Sequence, residues 1–584
     1  DFLINTVARF PDRYVFGEKN SNGDYEWITY ADFSKRVDNC RAGLALSGIK
    51  KNDAVGIISR NSVDWAVGFF ATSGLSARYV PMYEAELMQT WKYIINDADI
   101  KVLFISKKEI YESIKDIIAA SPKVEKVIIM EGDGPDTMKD LEEKGAAKPV
   151  PAESPDHSVI NVLIYTSGTT GEPKGVLLSH GNLSSNSHAR VKAYPEYDET
   201  TVTLNILPWA HSYGLGEVLT MVQIGAAIGL AEGPTTIVDD IQKVRPTFLI
   251  SVPRVFNRIY DGLWTKMNDE GGLARKLFVM GVEAGKKRRI LAEQGKSSFT
   301  TNLKFKIADK IVFSKVRAKL GGRLTSSMTG SAAMNPEISK FFWDLGIPLY
   351  DVYGLTETSP GVTLNRADAY RIGSVGPVQD KVRVVIDRSI TGENAKDGEV
   401  IVYGPNVMQG YHNKPEATAA AMTPDGGFRT GDRGYIDKDG FLYIVGRIKE
   451  QYKLQNGKYV FPASLEEDIK LNHYIEYAMI YGEGREYNVC VVIPDFVVME
   501  KWALKNNLPT EPAELIKRKE CTDFLEKEIV DTIKANYHNY EIPKKFIFDS
   551  EPFSLDNKML TQTMKLKRSA VLEKFKDQIE ACYK

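Results

Sequence analysis

Residues 159–176 read VINVLIYTSGTTGEPKGV, an apolar run that leads directly into a loop of glycines, hydroxyl side chains and one lysine. Runs that are apolar throughout are typical of parallel strands covered on both faces. Similar runs occur upstream, as in AVGIIS (54–59) and KVLFIS (101–106), and helical patterns separate them. Strand–helix–strand order with short links predicts an α/β fold of doubly wound sheets with helices.

The loop that follows the strand has an unusual composition. Its ten residues 166–175 contain three glycines, three threonines, one serine and one lysine. A surface turn needs only two to four such residues, so this density favours a loop whose hydroxyls and backbone N–H groups approach phosphate oxygens. It is not a Walker A loop, because Pro173 follows Gly168 five positions later and Gly175 follows Lys174.

Composition excludes several classes of protein. The 584 residues carry 75 Lys and Arg against 77 Asp and Glu, a formal net charge of −2, which argues against a protein that coats nucleic acid over its whole surface. Four cysteines without a C-x-x-C pair exclude a disulfide scaffold and a thiolate zinc site. No apolar run reaches the roughly 18–20 residues that span a bilayer. We expect a soluble, cytoplasmic protein with several structural units.

The pattern along the chain changes twice. Residues 256–323 show long helical patterns, and within them 273–323 carry 14 Lys and Arg against three acidic residues. The run GFLYIVGR (440–447), entered through the turn DKDG, predicts a hairpin. Beyond it lie strands of a separate unit. We predict a large N-terminal domain, 1–447, with a basic helical insert, 256–323, and a small mobile α+β domain, 448–584.

Seven segments together resemble the adenylate-forming superfamily, which includes acyl-CoA synthetases, luciferases and peptide-synthetase adenylation domains. The hinge variant KLQNGKYV and the helical insert make the chain most similar to long-chain fatty acid–CoA ligases. The segments, in the order of the family, are TSGTTGEPKGV (166–176), PWAHSYGLG (208–216), GSAAM (330–334), DVYGLTETSP (351–360), FRTGD (428–432), GRIKEQYKLQNGKYVFP (446–462) and TMKLKR (563–568).

The resemblance implies an ATP-dependent, AMP-forming ligase. It would activate a medium- to long-chain fatty acid as acyl-AMP, with Mg²⁺, and then transfer the acyl group to coenzyme A, leaving AMP and pyrophosphate. Two alternatives stay open. The acceptor could be the phosphopantetheine of a carrier protein, or oxygen as in luciferases, and the chain could be a non-catalytic nucleotide sensor. A sensor need not keep the lysine that acts in adenylation, which argues against the last alternative.

The resemblance also assigns nucleotide-binding residues. Glu357 and Thr166 would hold the metal ion, and Thr356 would contact the α-phosphate. Tyr353 would stack on adenine and Asp432 would accept from the ribose hydroxyls. The other residues assigned to binding nucleotide or CoA are Ser167, Gly168, Thr169, Thr170, Gly171 and Lys174 at the phosphates, Ser331, Ala332, Asp351 and Gly354 around adenine, Arg447 at ribose or phosphate, and Lys449 and Gly457 in the hinge segment.

Catalysis is assigned to Lys565, His211, Thr356 and Glu357. Lys565 would offset charge on the α-phosphate and the substrate carboxylate. Methionine occupies position 564, where the family has glycine, so Lys567 and Lys558 stay open as alternatives, as does a solvated tail lysine. His211 matches a position beside the acyl and thiol entrance, although a lone histidine is also common as a structural residue. Lys449 occupies the hinge position, and Gly457 would line the pantetheine channel.

The basic stretch 273–323 has three interpretations. It could be a solvated helical face, a nucleic-acid patch, or a contact with the inner face of an anionic membrane, where each cation adds about 1 kcal/mol. Aromatic residues that would stack on bases are not interleaved with the cations, so we expect no nucleic-acid partner. The expected partners are a fatty acid, ATP and CoA, with peripheral membrane contact as a hypothesis. No sequence pattern indicates an oligomeric state.

Overall fold

The computed structural model describes residues 1–166, 173–233, 236–561 and 565–584. Within the part up to Arg447, the strands in chain order are β1 (Tyr14–Lys19), β2 (Tyr25–Thr29), β3 (Ala54–Ile58), β4 (Arg78–Met82), β5 (Ile100–Ile105), β6 (Lys126–Ile129), β7 (Ile160–Thr166), β8 (Lys174–Ser179), β9 (Val202–Asn205), β10 (Ala227–Leu230), β11 (Phe248–Ser251), β12 (Ser326–Thr329), β13 (Leu349–Gly354), β14 (Gly361–Leu364), β15 (Arg383–Asp387), β16 (Gly398–Tyr403), β17 (Gly410–Tyr411), β18 (Phe428–Ile436) and β19 (Leu442–Arg447).

Helices alternate with these strands over most of the same part of the chain. They are α1 (Phe2–Arg9), α2 (Tyr30–Leu46), α3 (Val63–Ser73), α4 (Met88–Asp97), α5 (Lys108–Ala119), α6 (Met138–Ala146), α7 (His180–Ala193), α8 (Ser212–Ile224), α9 (Ile237–Val244), α10 (Pro253–Glu270), α11 (Gly272–Glu293), α12 (Phe299–Ala308), α13 (Ser314–Lys319), α14 (Pro336–Asp344) and α15 (Pro415–Ala421). A π-helical turn, Asp309–Phe313, joins α12 to α13, and a 3₁₀ turn spans Thr356–Thr358.

One sheet of seven strands carries the glycine-rich segment. Its order is β17-β8-β7-β4-β3-β5-β6, and the strands from β7 to β6 run parallel. Every residue of β3 is buried, as its uninterrupted apolar run predicts. The parallel sheet with helices between its strands confirms the predicted α/β fold class.

A second sheet of eight strands has the order β14-β13-β12-β11-β9-β10-β1-β2. Strands β11, β12 and β13 are parallel neighbours, so their carboxyl ends meet at one edge. The segments GSAAM and GLTETSP follow β12 and the end of β13, and ligands of open α/β sheets bind at such edges. A third, antiparallel sheet, β15-β16-β18-β19, places Asp432 directly opposite Arg447.

Residues 253–319 fold as the helices α10 to α13 and pack against α14. Their core is aromatic: Phe278 contacts Phe313 and Phe341, and Phe256 contacts Phe342. These side chains join the helices of the basic stretch to an apolar core that they share with α14 and the eight-stranded sheet.

The chain after Arg447 forms two further sheets, the pair β20 (Tyr452–Lys453) and β21 (Tyr459–Val460), and the order β22-β23-β24 made of Ile475–Tyr481, Val489–Pro494 and Lys545–Phe548. Helices surround them: α16 (Pro462–Ile469), α17 (Phe496–Lys505), α18 (Pro512–Leu515), α19 (Lys519–Ile533), α20 (Arg568–Lys574) and α21 (Lys576–Ala581). Separate apolar clusters fill this part of the molecule. The boundary at 447/448 stays a prediction.

Polar contacts join this C-terminal part to the rest. Arg254 at the start of α10 forms an ion pair with Glu476, with 3.0 Å between Nη2 and Oε1, and donates to the Tyr477 hydroxyl at 2.6 Å. Asn335 donates to Asp468 at 2.7 Å. Within the described ranges, no helix is both long and apolar enough to cross a membrane.

Candidate active site

The two ends of the glycine-rich loop lie side by side. Thr166, the last residue of β7, pairs with Lys174, the first residue of β8. The Thr166 hydroxyl donates to the Lys174 carbonyl at 3.4 Å. The predicted phosphate-binding residues between them, Ser167, Gly168, Thr169, Thr170 and Gly171, lie outside the described residues. The Lys174 ammonium lies 4.9 Å from the centre of the Tyr411 ring.

Tyr411 connects Lys174 to Glu357. Its hydroxyl donates to Glu357 Oε1 at 2.9 Å, and burial together with this carboxylate raises the pKa of Tyr411. The backbone carbonyl of Glu357 accepts from the Met408 N–H at 2.9 Å. Among the described contacts, Glu357 Oε2 has no hydrogen bond. One oxygen of the carboxylate is thus fixed and the other is available to a ligand.

Thr356 contacts Ser212 at the start of α8, next to His211. The hydroxyls of Thr356 and Ser212 lie 3.1 Å apart, and both residues are buried. His211 caps the helix, and its Nδ1 accepts from the Tyr213 N–H at 3.2 Å. Burial, aided by the positive charge of Lys565, lowers the pKa of His211 to about 3. The imidazole is therefore neutral and carries its proton on Nε2, where it can donate.

Asp432 is a buried carboxylate with two side-chain partners, the partly buried Tyr353 and the exposed Arg447. Tyr353 donates to its Oδ2 at 2.6 Å, and Arg447 Nε lies 3.0 Å from its Oδ1. Asp432 is only 4% exposed, and burial raises its pKa even though Arg447 and Tyr353 favour the charged form. Each carboxylate oxygen retains a second lone pair, so Asp432 can still accept from ribose hydroxyls.

The predicted adenine wall lies at the ends of β12 and β13. Ser331 has φ 74°, in the left-handed region, and Ala332 is exposed. Burial raises the pKa of Asp351. A Cβ at Gly354 would lie 1.7 Å from the Pro360 carbonyl oxygen, so this position accepts only glycine.

Lys565 reaches this cleft from the C-terminal part of the chain. Solvent reaches the residue. Its pKa nevertheless lies below the ordinary lysine value, mainly because the surrounding protein desolvates the ammonium group, and Arg447 adds to this effect. The charges of Asp432, Glu450 and Glu357 act in the opposite direction. These charge effects link Lys565 electrostatically to residues at both predicted ends of the nucleotide.

The two alternatives to Lys565 occupy different positions. Lys558 lies in an exposed turn with φ 62°, and Lys567 is the residue before α20. The charge of Lys565, in contrast, acts on His211 at the start of α8 and on Asp432 in β18. This placement favours Lys565 over the other two lysines.

The remaining predicted residues lie in exposed turns. Lys449 is exposed in the turn after β19. Gly457 lies in the exposed turn between β20 and β21, with φ 81° and no atom within 4 Å of the place a Cβ would occupy. Their assigned roles in the hinge and the CoA channel stay predictions.

Tyr411 and Ser212 contact predicted site residues, and Glu217 is a buried carboxyl group on the same helix as Ser212. None of the three was predicted from the sequence. Ser212 directly follows His211 in a motif already identified, so adjacency was a usable signal. Tyr411 lies in an irregular stretch more than 50 residues from Glu357, and only the pairing of β17 with β8 brings it to the site. Glu217 lies on α8, where Thr203 and Asn205 donate to its two oxygens at 3.0 and 2.8 Å.

An apolar cavity lies beside the C-terminal half of α8, enclosed by α7, α8, β11 and β12. In this conformation it is narrow, with a volume of about 20 Å³. Its lining residues are Arg190, Val191, Tyr194, Tyr197, Thr220, Met221, Ile224, Phe248, Ile250 and Met328.

Two family profiles together match most of the chain, and relatives match nearly its full length. The profile of a family described as AMP-binding enzyme matches residues 3–412, and the profile of an AMP-binding enzyme C-terminal domain matches 449–584. Fatty acyl-CoA synthetase A of Dictyostelium discoideum is 30% identical, over 96% of this chain and 86% of its own. A long-chain-fatty-acid–CoA ligase of Mycobacterium bovis is also 30% identical, over 98% and 95%.

Among solved structures, the adenylation domain of a carboxylate reductase from Mycobacterium chelonae superposes with a TM-score of 0.79. The match covers all of this chain and 90% of that one at 21% identity, which shows a shared fold.

The buried Glu217 predicts a pH dependence of stability. Burial raises its pKa to about 8, whereas an unfolded chain releases the proton near 4.5. Between these values the folded state binds more protons than the unfolded state, so stability falls as pH rises. Glu217→Gln removes this loss, and its stability relative to wild type should increase by up to roughly 1 kcal/mol per pH unit between pH 5 and 8.

Denaturant unfolding at several pH values measures this difference. Glu483→Gln, at an exposed position, is the matched control and should show no such trend. A stability difference for Glu217→Gln that does not change with pH would contradict the assignment.

Proposed function

The chain belongs to the AMP-binding enzyme family, and we propose that it activates a fatty acid with ATP and transfers the acyl group to coenzyme A. The first half-reaction gives acyl-AMP and pyrophosphate, and the second gives acyl-CoA and AMP. The observation that carries the proposal is the position of Lys565. The charge of this lysine, which comes from the C-terminal part, acts on His211 and Asp432, and the charge of Glu357 acts on the lysine in turn.

In the first half-reaction a carboxylate oxygen attacks the α-phosphorus, and the bond from that phosphorus to the bridging oxygen of pyrophosphate breaks. Carboxylate and polyphosphate repel each other, so the site must supply positive charge and alignment. Lys565 would offset charge at the α-phosphate, and Lys174 would do so at the departing phosphates. Arg447, held by Asp432, would keep the ribose in place.

Mg²⁺ fits the residues present. Glu357 Oε2 is free of hydrogen bonds among the described contacts, and the Thr166 hydroxyl is a second hard oxygen donor. One carboxylate, a hydroxyl and phosphate oxygens form a donor set that Mg²⁺ prefers. When bound, the ion would neutralise charge on the phosphate oxygens. Tyr411 would position the carboxylate through its hydrogen bond to Oε1.

His211 would act by donating a hydrogen bond. Its Nδ1 is already an acceptor for a backbone N–H, and a pKa of about 3 makes it a weak base. We propose that Nε2–H orients the substrate carboxyl group or the thioester oxygen. It would not remove the proton from the CoA thiol.

In the second half-reaction Lys565 must withdraw so that the thiol can reach the acyl-AMP carbonyl. Lys449 is proposed as the hinge and Gly457 as the channel residue. The contacts that would break include the pairs Arg254–Glu476 and Asn335–Asp468. Both are polar, as expected of an interface that opens during the reaction cycle.

Two substitutions should separate the half-reactions. Lys565→Ala should abolish acyl-AMP formation but still convert supplied acyl-AMP into thioester. Gly457→Leu should keep acyl-AMP formation and lose thioester formation, because its side chain would obstruct pantetheine. Equal loss of both half-reactions in both variants would show that the alternation of the two domains is the wrong mechanism.

We further propose a long-chain fatty acid as substrate, with its tail in the apolar cavity. The lining of aliphatic and aromatic side chains supports this, and so do the long-chain relatives. Because the cavity holds only about 20 Å³, the tail would have to displace side chains as it enters. Met328 lies on β12 in this lining and offers a position to test.

Met328→Phe should lower kcat/KM for hexadecanoate by roughly tenfold and leave that for hexanoate unchanged, because only the longer tail needs the space. Met88→Phe, on the exposed side of α4, makes the same chemical change away from the cavity and should affect neither acid. Equal losses for both acids in Met328→Phe would contradict this location of the tail.

The acceptor and the chain length can be determined together. Acid-dependent exchange of labelled pyrophosphate into ATP, over acids of two to about twenty carbons, reports the first half-reaction. Thioester formation with CoA and with a carrier protein reports the second. Exchange without transfer to CoA would favour a carrier-protein acceptor, and ATP binding without exchange would favour a nucleotide sensor.

A further inference from the structure

The surface of α12 and the following π-helical turn carries a row of exposed apolar side chains. Phe299 is 82% exposed, Leu303 49%, Ile307 42% and Ile311 44%. Their spacing of four residues keeps them on one side of the helix. We refer to these four residues as the apolar ridge. Isolated exposed apolar residues are common, but a continuous row of four indicates a binding surface.

The opposite side of this segment is well packed, so the ridge is preformed. Ala308, Val312 and Phe313 are buried, and Phe305 contacts Phe313. Arg288 of α11 lies over the Phe305 ring at 4.7 Å. Binding of a partner would therefore not carry the entropic cost of ordering the ridge.

Unneutralised positive charge surrounds the ridge. Lys304, Lys306, Lys310 and Lys315 are all exposed, and none of them forms an ion pair within the described part of the chain. The acidic residue of this segment, Asp309, is already bound to Arg317 at 2.6 Å. The surface therefore combines four apolar side chains with four available cations.

We propose that the apolar ridge and its four lysines dock the protein on an anionic lipid bilayer. Apolar side chains enter the boundary between headgroups and acyl chains, and lysines bind anionic headgroups. A second copy of the chain would bring lysines against lysines. Nucleic acid would bind this surface poorly, because Leu and Ile do not stack on bases.

Docking itself depends only on the apolar ridge and its lysines. The purpose that docking would serve rests on the proposed function. Long-chain fatty acids partition into bilayers, so a docked ligase would draw its substrate directly from the membrane. The helical insert, 256–323, which carries the ridge, and the apolar cavity both belong to the part of the chain before Arg447.

Sedimentation of the full chain with vesicles tests the docking. Wild type should bind vesicles of phosphatidylcholine with phosphatidylglycerol and should not bind phosphatidylcholine alone. The variants Leu303→Ser with Ile307→Ser, and Lys304→Gln with Lys310→Gln, should each bind at least tenfold more weakly. The lysine estimate follows from about fivefold per cation.

Matched controls lie on α17, in the C-terminal part. Val497→Ser with Leu504→Ser removes side chains that are 77% and 63% exposed, and Lys501→Gln with Lys505→Gln removes two exposed cations. Both control variants should bind as wild type does. Equal weakening in the controls, or wild-type binding by the ridge and lysine variants, would overturn the proposal.

Insertion itself can be measured with Phe299→Trp. Brominated lipids should quench the added fluorescence when the vesicles are anionic, and an absence of quenching would overturn insertion of the ridge. Ligase activity on a soluble medium-chain acid without vesicles should be unchanged in the ridge variants. A wild-type protein that docks but has no ligase activity would refute the proposed function and leave the docking intact.

Discussion

A buried carboxylate, Asp432, joins parts of the chain that are far apart in sequence. It accepts from Tyr353, near the C-terminal end of β13 in the eight-stranded sheet, and pairs with Arg447, the last residue of β19 in the small antiparallel sheet. A buried charge of this kind is stable only while its partners remain in place. The predicted boundary to the C-terminal part, which carries Lys565, directly follows Arg447.

The local pattern of the sequence was sufficient for the fold class. Uninterrupted apolar runs such as residues 54–59 predicted buried parallel strands, and β3 is buried throughout. The turn DKDG predicted the hairpin that pairs β18 with β19. The motifs also identified Glu357, Tyr353 and Asp432 as candidates, because these residues lie in short segments with a recognisable order.

What the sequence could not provide depends on contacts between distant segments. Tyr411 binds Glu357 only because β17 adds to the edge of β8. The low pKa of His211 results from burial and from a lysine more than 300 residues away. The apolar ridge could be found only by exposure, since a pattern with apolar residues at every fourth position is equally typical of a buried helix face.

The central claim is that this arrangement of the two parts serves the first half-reaction and must open for the second. The pair Asn335 and Asp468, joined across the interface at 2.7 Å, offers a direct test. Asn335→Cys with Asp468→Cys, oxidised to a disulfide, should retain acid-dependent pyrophosphate exchange and lose thioester formation, and reduction should restore it. Thioester formation by the oxidised protein at the rate of the reduced one would contradict the account.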